Sequence, residues 1–229
     1  HSGAGVITYG EQNGTYGVCS FTFDSINLGS ELTVTFEGKN ACILKTRNHG
    51  NVVIGADLDV SGGDARDGAA LNYGLGGIGI AGGGSGGDHD QHGFGPGGGK
   101  SRVWSDEGGG AGYGADGARG GNAEVAWSSS YGDDTVNHLL GGSGGGGGDH
   151  EGGGGGGGAL SIEADGNGTV TINAGATIKS NGGKSINDND RSGGGGSGGS
   201  LRFAATSITN NGSIQAIGGD KGGQTYAGG

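Results

Sequence analysis

Two short segments carry the side chains best suited to chemistry. Gly86-Gly87-Asp88-His89-Asp90-Gln91-His92 and Gly147-Gly148-Asp149-His150-Glu151-Gly152 each place acid, histidine, acid after two glycines. In an extended chain, residues i and i+2 project to one side. The flanking carboxylates would then share a face, with the imidazole opposite. Such oxygen and imidazole donors could hold Ca2+ or Zn2+. The candidate metal ligands are Asp88, His89, Asp90, His92, Asp149, His150 and Glu151, and Ca2+ is the cofactor they would suit, although nothing requires one. The same pattern fits a charged, solvated loop tip, and that is the reading we favour. Asn187-Asp188-Asn189-Asp190 is also rich in oxygen donors. It lacks the glycine and glutamate of a calcium-binding loop and reads as a turn.

Catalytic patterns match by composition alone. Gly-x-Ser-x-Gly occurs at Ser85, Ser143 and Ser197, without the strand–serine–helix setting a nucleophile needs. Gly95-Pro96-Gly97-Gly98-Gly99-Lys100-Ser101 resembles a phosphate-binding loop, but Phe94 stands where its first glycine is required. His1 could chelate copper with a partner histidine, and no residue stands out as that partner. No enzyme is expected. Tyr73, Phe94, Trp104, Tyr113, Trp127 and Tyr131 all lie among glycines. Rings on loops can stack on sugars, and Trp104, Tyr113 and Trp127 are the candidate ligand contacts. Rings beside glycine can equally cap packed backbone, and the two readings stay open. Cys19 and Cys42 predict one disulfide, with two buried thiols as the alternative. A disulfide implies an oxidising compartment. A start at His1 rather than methionine fits a mature end after signal removal. Asn13, Asn167 and Asn211 head Asn-x-Ser/Thr acceptors for glycosylation.

The elements that position these residues follow from composition. Glycine supplies 67 of 229 residues, with one proline and no methionine. Collagen needs strict Gly-X-Y and abundant proline. A helical bundle is excluded, because each glycine costs a helix about 1 kcal/mol. No apolar run approaches the ~20 residues of a membrane span. A net charge of -11 argues against nucleic acid. Only 30% of residues are hydrophobic, so a side-chain core can serve only part of the chain.

Period-two alternation marks strands at Phe21-Thr22-Phe23, Leu32-Thr33-Val34-Thr35-Phe36 and Leu160-Ser161-Ile162-Glu163-Ala164. Three segments repeat a strand, bend, strand, Gly-Gly pattern: 50–63, 168–183 and 205–219. Such units stack as rungs of a parallel β-solenoid; a β-sandwich with long loops is the alternative. Between the rungs lie runs such as Gly144 to Gly148, Gly152 to Gly158 and Gly193 to Gly199 around Ser197. A glycine chain can adopt the polyproline-II helix, with three residues per turn and ~3.1 Å rise. Lacking side chains, copies can approach and bond laterally. Flexible linker is the competing reading.

Leu139-Leu140-Gly141-Gly142-Ser143-Gly144 before polyglycine, Ala159-Leu160-Ser161-Ile162, and Gly195-Gly196-Ser197-Gly198-Gly199-Ser200-Leu201-Arg202 together resemble secreted glycine-rich proteins of bacteria and marine invertebrates. The resemblance covers most of the chain from about residue 50. It implies secretion and a surface or matrix role, and it carries no catalytic residue. Ile208-Thr209-Asn210-Asn211-Gly212-Ser213-Ile214 before Gly218-Gly219 is similar in style to bacteriophage tail-fibre tip adhesins, whose fibre-attachment region is not visible here. Snow-flea-type antifreeze proteins share the physics but carry a regular Gly-x-x repeat that this chain lacks.

The resulting expectation is an all-β fold without significant α-helix, a short-strand solenoid-like scaffold with packed polyglycine-II helices. Its segments are 1–61 with the disulfide, 62–158 rich in glycine, and 159–229 with further rungs, integrated as one domain. The expected role is a secreted, extracellular structural protein of a matrix, coat or fibre that forms homo-oligomers or filaments. A receptor- or glycan-binding adhesin is the alternative.

Overall fold

The alternating segments form strands, and the chain stacks them in register. A computed structural model describes residues 6–12, 16–67, 73–101, 107–120, 128–132, 138–186 and 192–221, with the backbone alone for 6–12 and 16. The strands are β1 (Val6–Gln12), β2 (Tyr16–Phe23), β3 (Ile26–Leu28), β4 (Ala41–Thr46), β5 (Val52–Ile54), β6 (Leu58–Asp59), β7 (Ala159–Glu163), β8 (Thr169–Ile172), β9 (Thr177–Lys179), β10 (Ser200–Ala204), β11 (Ser207–Asn210) and β12 (Ser213–Gln215). Among the described residues there is no helix, and so none long and apolar enough to cross a membrane.

Three sheets result, ordered β1-β2-β4-β7-β10, β11-β8-β5-β3 and β12-β9-β6. Every pairing is parallel except the β1–β2 hairpin. The chain therefore passes through the sheets in turn, one tier per circuit. The first tier is β2-β3, followed by β4-β5-β6, β7-β8-β9 and β10-β11-β12. The three repeats seen in the sequence are the β5-β6, β8-β9 and β11-β12 parts of these tiers.

Register turns each inward position into a ladder. Ile26, Val52, Val170 and Ile208 form one. Leu58, Ile178 and Ile214 form another, and Phe21, Leu44, Ile162 and Phe203 a third. Val52, Ile54, Leu58, Ile162, Val170, Ile172 and Ile178 are fully buried in one cluster. Each such side chain contributes ~1.5–3 kcal/mol by leaving water. At the corners, side chains bond between tiers: Asn51 Oδ1 accepts from Thr169 N–H at 2.9 Å, and Asp57 Oδ1 from Thr177 N–H at 2.7 Å.

One alternating segment does not become a strand. Residues 32–36 are irregular and belong to a stretch that crosses the first tier between β3 and β4. The third sheet ends at β6, and the stretch forms no ladder with that edge. Val34 and Phe36 turn inward against the core, while Leu32 is 46% exposed. The stretch caps that end of the stack.

The glycine runs leave the tiers and bond to one another through backbone alone. Along Gly153 to Gly158, successive N–H groups donate to Gly87, Gly194, Gly63, Gly84, Ser197 and Val60, at 2.7–2.9 Å. The acceptors recur every third residue: 87 and 84 on one neighbour, 194 and 197 on a second, 63 and 60 on a third. The second runs parallel to this segment and the other two antiparallel. Across the contact between 142–148 and 151–157, Gly142, Gly145 and Gly148 donate to Gly157, Gly154 and Glu151. Side chains are excluded: a Cβ on Gly153 would lie 2.1 Å from the Gly145 carbonyl oxygen, and one on Gly156 would lie 2.3 Å from that of Gly142.

Candidate interaction surface

The fourth tier is where the stack stops. Among the described residues β10 pairs only with β7, β11 with β8 and β12 with β9. The outer N–H and C=O edges of all three strands lack a ladder partner among those residues. Above fully buried Val170 and Ile178 stand Ile208, 47% exposed, and Ile214, 40% exposed. Ile217 beside them is 59% exposed. Below, the next tier covers each position; here nothing described does. Unpaired edges with apolar side chains favour pairing with another chain.

A second surface lies on the glycine body, where the two acid-histidine-acid segments meet. Asp90 N–H donates to the Gly148 carbonyl at 2.9 Å, and Gly74 N–H to that of His150 at 2.6 Å. Tyr73 stands between the imidazoles. It stacks on His89 with centroids 4.0 Å apart and 11° between planes, and meets His150 edge-on at 5.6 Å. His89 Nδ1 lies 3.5 Å from Asp90 Oδ2, and His150 Nε2 lies 3.8 Å from Asp149 Oδ2. Burial raises the Asp90 carboxyl above the ordinary carboxylate range. His89 and His150 oppose that rise, and Asp149 adds to it.

The metal expectation finds no ligand set. Among the described residues, no three His, Cys, Asp or Glu side chains are placed to hold an ion, Ca2+ included. Asp90 has a left-handed φ of 57°, so the segment turns and does not keep its carboxylates on one face. Asp88 Oδ1 instead accepts from Gly76 N–H at 2.8 Å, and His92 Nδ1 accepts from Ser101 N–H at 2.8 Å. The second oxygen-rich stretch, Asn187-Asp188-Asn189-Asp190, lies outside the described residues.

The disulfide expectation is also corrected. Cys19 and Cys42 are register partners on β2 and β4, yet both thiols are free. Side chains at paired positions of parallel strands project the same way, about 4.8 Å apart. A disulfide needs Cβ atoms at about 3.8 Å. The argument from disulfide to an oxidising compartment therefore lapses. Burial, reinforced by Cys19, pushes the Cys42 thiol up to about 12.

The remaining candidates divide cleanly. Asn167 and Asn211 are exposed, and Asn13 lies outside the described residues. Trp104 and Trp127 lie outside them too. Tyr113 serves the glycine body: its hydroxyl donates to the Leu140 carbonyl at 3.1 Å, and its ring meets Tyr131 edge-on at 5.0 Å. The serines of two Gly-x-Ser-x-Gly patterns are buried and bonded to backbone. Ser143 Oγ accepts from Gly97 N–H at 3.0 Å, and Ser197 Oγ from Ser143 N–H at 2.8 Å.

No family model, curated protein or solved structure matches this chain. Sequence reasoning named Tyr73 and both histidine segments without seeing that they meet. It also passed over the isoleucines of the last tier, whose alternation looks like that of any buried rung.

Proposed function

We propose that the chain is a secreted structural protein of a matrix, coat or fibre, built as a β-solenoid with a packed polyglycine-II body. The three-residue recurrence of hydrogen-bond acceptors along Gly153 to Gly158 supports the polyglycine-II reading, because that helix turns once every three residues. The in-register ladders support the solenoid. Secretion rests on the resemblance to glycine-rich secreted proteins.

The observation that carries self-assembly is the fourth tier, uncovered among the described residues, with Ile208 of β11, Ile214 of β12 and nearby Ile217 exposed. At the other end β1, β3 and β6 are also edge strands, and the 29–40 stretch lies against the core there. The exposed isoleucines single out the fourth tier, whose surface can meet itself in a two-fold pair as the first step of assembly. Native mass by light scattering tests this. A mass of twice 21.8 kDa is expected, falling to the single-chain mass in Ile214→Lys with an unchanged circular dichroism spectrum. A single-chain mass for the unaltered protein at all concentrations overturns it.

The Tyr73 cluster supports a second reading, a glycan- or receptor-binding adhesin. Tyr73 is 40% exposed and is flanked by imidazoles and carboxylates that can hydrogen-bond sugar hydroxyls. Glycan-array binding that is lost in Tyr73→Ala would favour it; an array blank for the unaltered protein would remove it.

A further inference from the structure

At the capped end a cavity of about 330 Å3 lies between the first tier and the 29–40 cap. Phe21 and Phe23 of β2, Leu44 of β4, and Val34 and Phe36 of the cap form much of its wall, with Cys19. The five apolar side chains face the core, yet each keeps partial solvent exposure. Ile26 and Leu28 of β3, Cys42 of β4 and Ala81 complete the wall, so the cavity lies between the first two sheets and the cap.

We infer that this cavity is a binding site for a small uncharged apolar molecule of about two fused or linked rings. Its volume is about twice that of the engineered 150 Å3 apolar cavity that stays dry and takes benzene. The charged residues in its wall, Glu37 and Lys39, are exposed and opposite in sign, so the site has no inward charge to match an ionic ligand. Its polar lining includes the two cysteine thiols beside Thr35 and Asn40. Cys19 Sγ accepts a weak hydrogen bond from Asn40 Nδ2 at 3.7 Å, and thiols pack well against aromatic rings. This assignment is independent of assembly at the fourth tier, which lies at the opposite end of the stack.

The partly exposed Cys19 thiol reports on the site, while buried Cys42, held protonated, reacts slowly. The probe is 1-aminonaphthalene, whose emission shifts to the blue out of water. Saturable one-to-one binding is expected. Iodoacetamide alkylation of Cys19, followed by mass spectrometry, should slow at least about tenfold at saturating probe, which would place the probe in the cavity. Val34→Trp, which fills the space from the cap, should weaken binding by about tenfold or more while the circular dichroism spectrum is kept. Absence of saturable binding overturns the assignment, and so does binding that leaves Cys19 alkylation unchanged. If Val34→Trp does not fold, protection of Cys19 in the unaltered chain decides the matter.

Discussion

In the inner strand tiers, each strand bonds to neighbours above and below, and apolar side chains pack between the sheets. Val52, Ile54, Ile172 and Ile178 are fully buried. In the glycine body, the 151–158 segment donates to three neighbours and accepts from a fourth, and a methyl group on Gly153 or Gly156 would strike neighbouring backbone. The first region is held by apolar burial, with hydrogen bonds fixing register. The second has almost no apolar surface to bury, so its order rests on backbone bonds that must offset the large chain entropy of glycine. One chain thus carries two packing solutions, which share residues where the runs re-enter the tiers: Gly158 N–H donates to Val60, and Ala159 N–H to Ala81.

The comparison can be broken by deleting methyls in one region and adding one in the other. Ile172→Ala opens a cavity in the tiers and should cost about 2–5 kcal/mol, measured by denaturant unfolding. Gly156→Ala should cost about 1–3 kcal/mol, because its Cβ would press on the Gly142 and Ser143 backbone and force segments apart. Gly114 sharpens the test. Nothing lies within 4 Å of a Cβ placed there, so Gly114→Ala should change stability by less than about 0.5 kcal/mol. If Gly156→Ala proved as neutral as Gly114→Ala, the glycine body would not be packed as described.

The smallest effect concerns charge in the glycine body. The raised Asp90 carboxyl means that the folded chain holds its proton more tightly than the unfolded chain does. That contribution is complete below the ordinary aspartate value of about 3.9 and is lost as pH rises through the elevated folded value. Asp90→Asn should therefore raise Tm slightly at neutral pH and flatten the decline between acid and neutral. Asparagine also tolerates the left-handed φ at this position. A lower Tm in the variant would mean that attraction to His89 and His150 outweighs the cost of burying the carboxylate.

Much of the fold was legible in the sequence. Alternation at Leu160 to Ala164, and the Gly-Gly endings of the repeats, are local signals, and they pointed to repeated strands separated by glycine runs; the structure shows those strands to be parallel. The same signal misled at residues 32–36, because alternation states which side chains can face a core but not whether a ladder partner exists. Of the candidate site, the residue types were visible and their meeting was not. His89 and His150 converge on Tyr73 only through bonds between glycine segments that are far apart in the chain.

Residue by residue, the sequence determined most of the strands and turns, because each depends on a few neighbouring side chains. The tertiary structure decided the rest: free thiols on adjacent strands, a capped end with a cavity, and an open end with bare isoleucines. Those outcomes depend on partners such as Asn51 and Thr169, 118 positions apart. No local pattern encodes which distant strand will lie alongside.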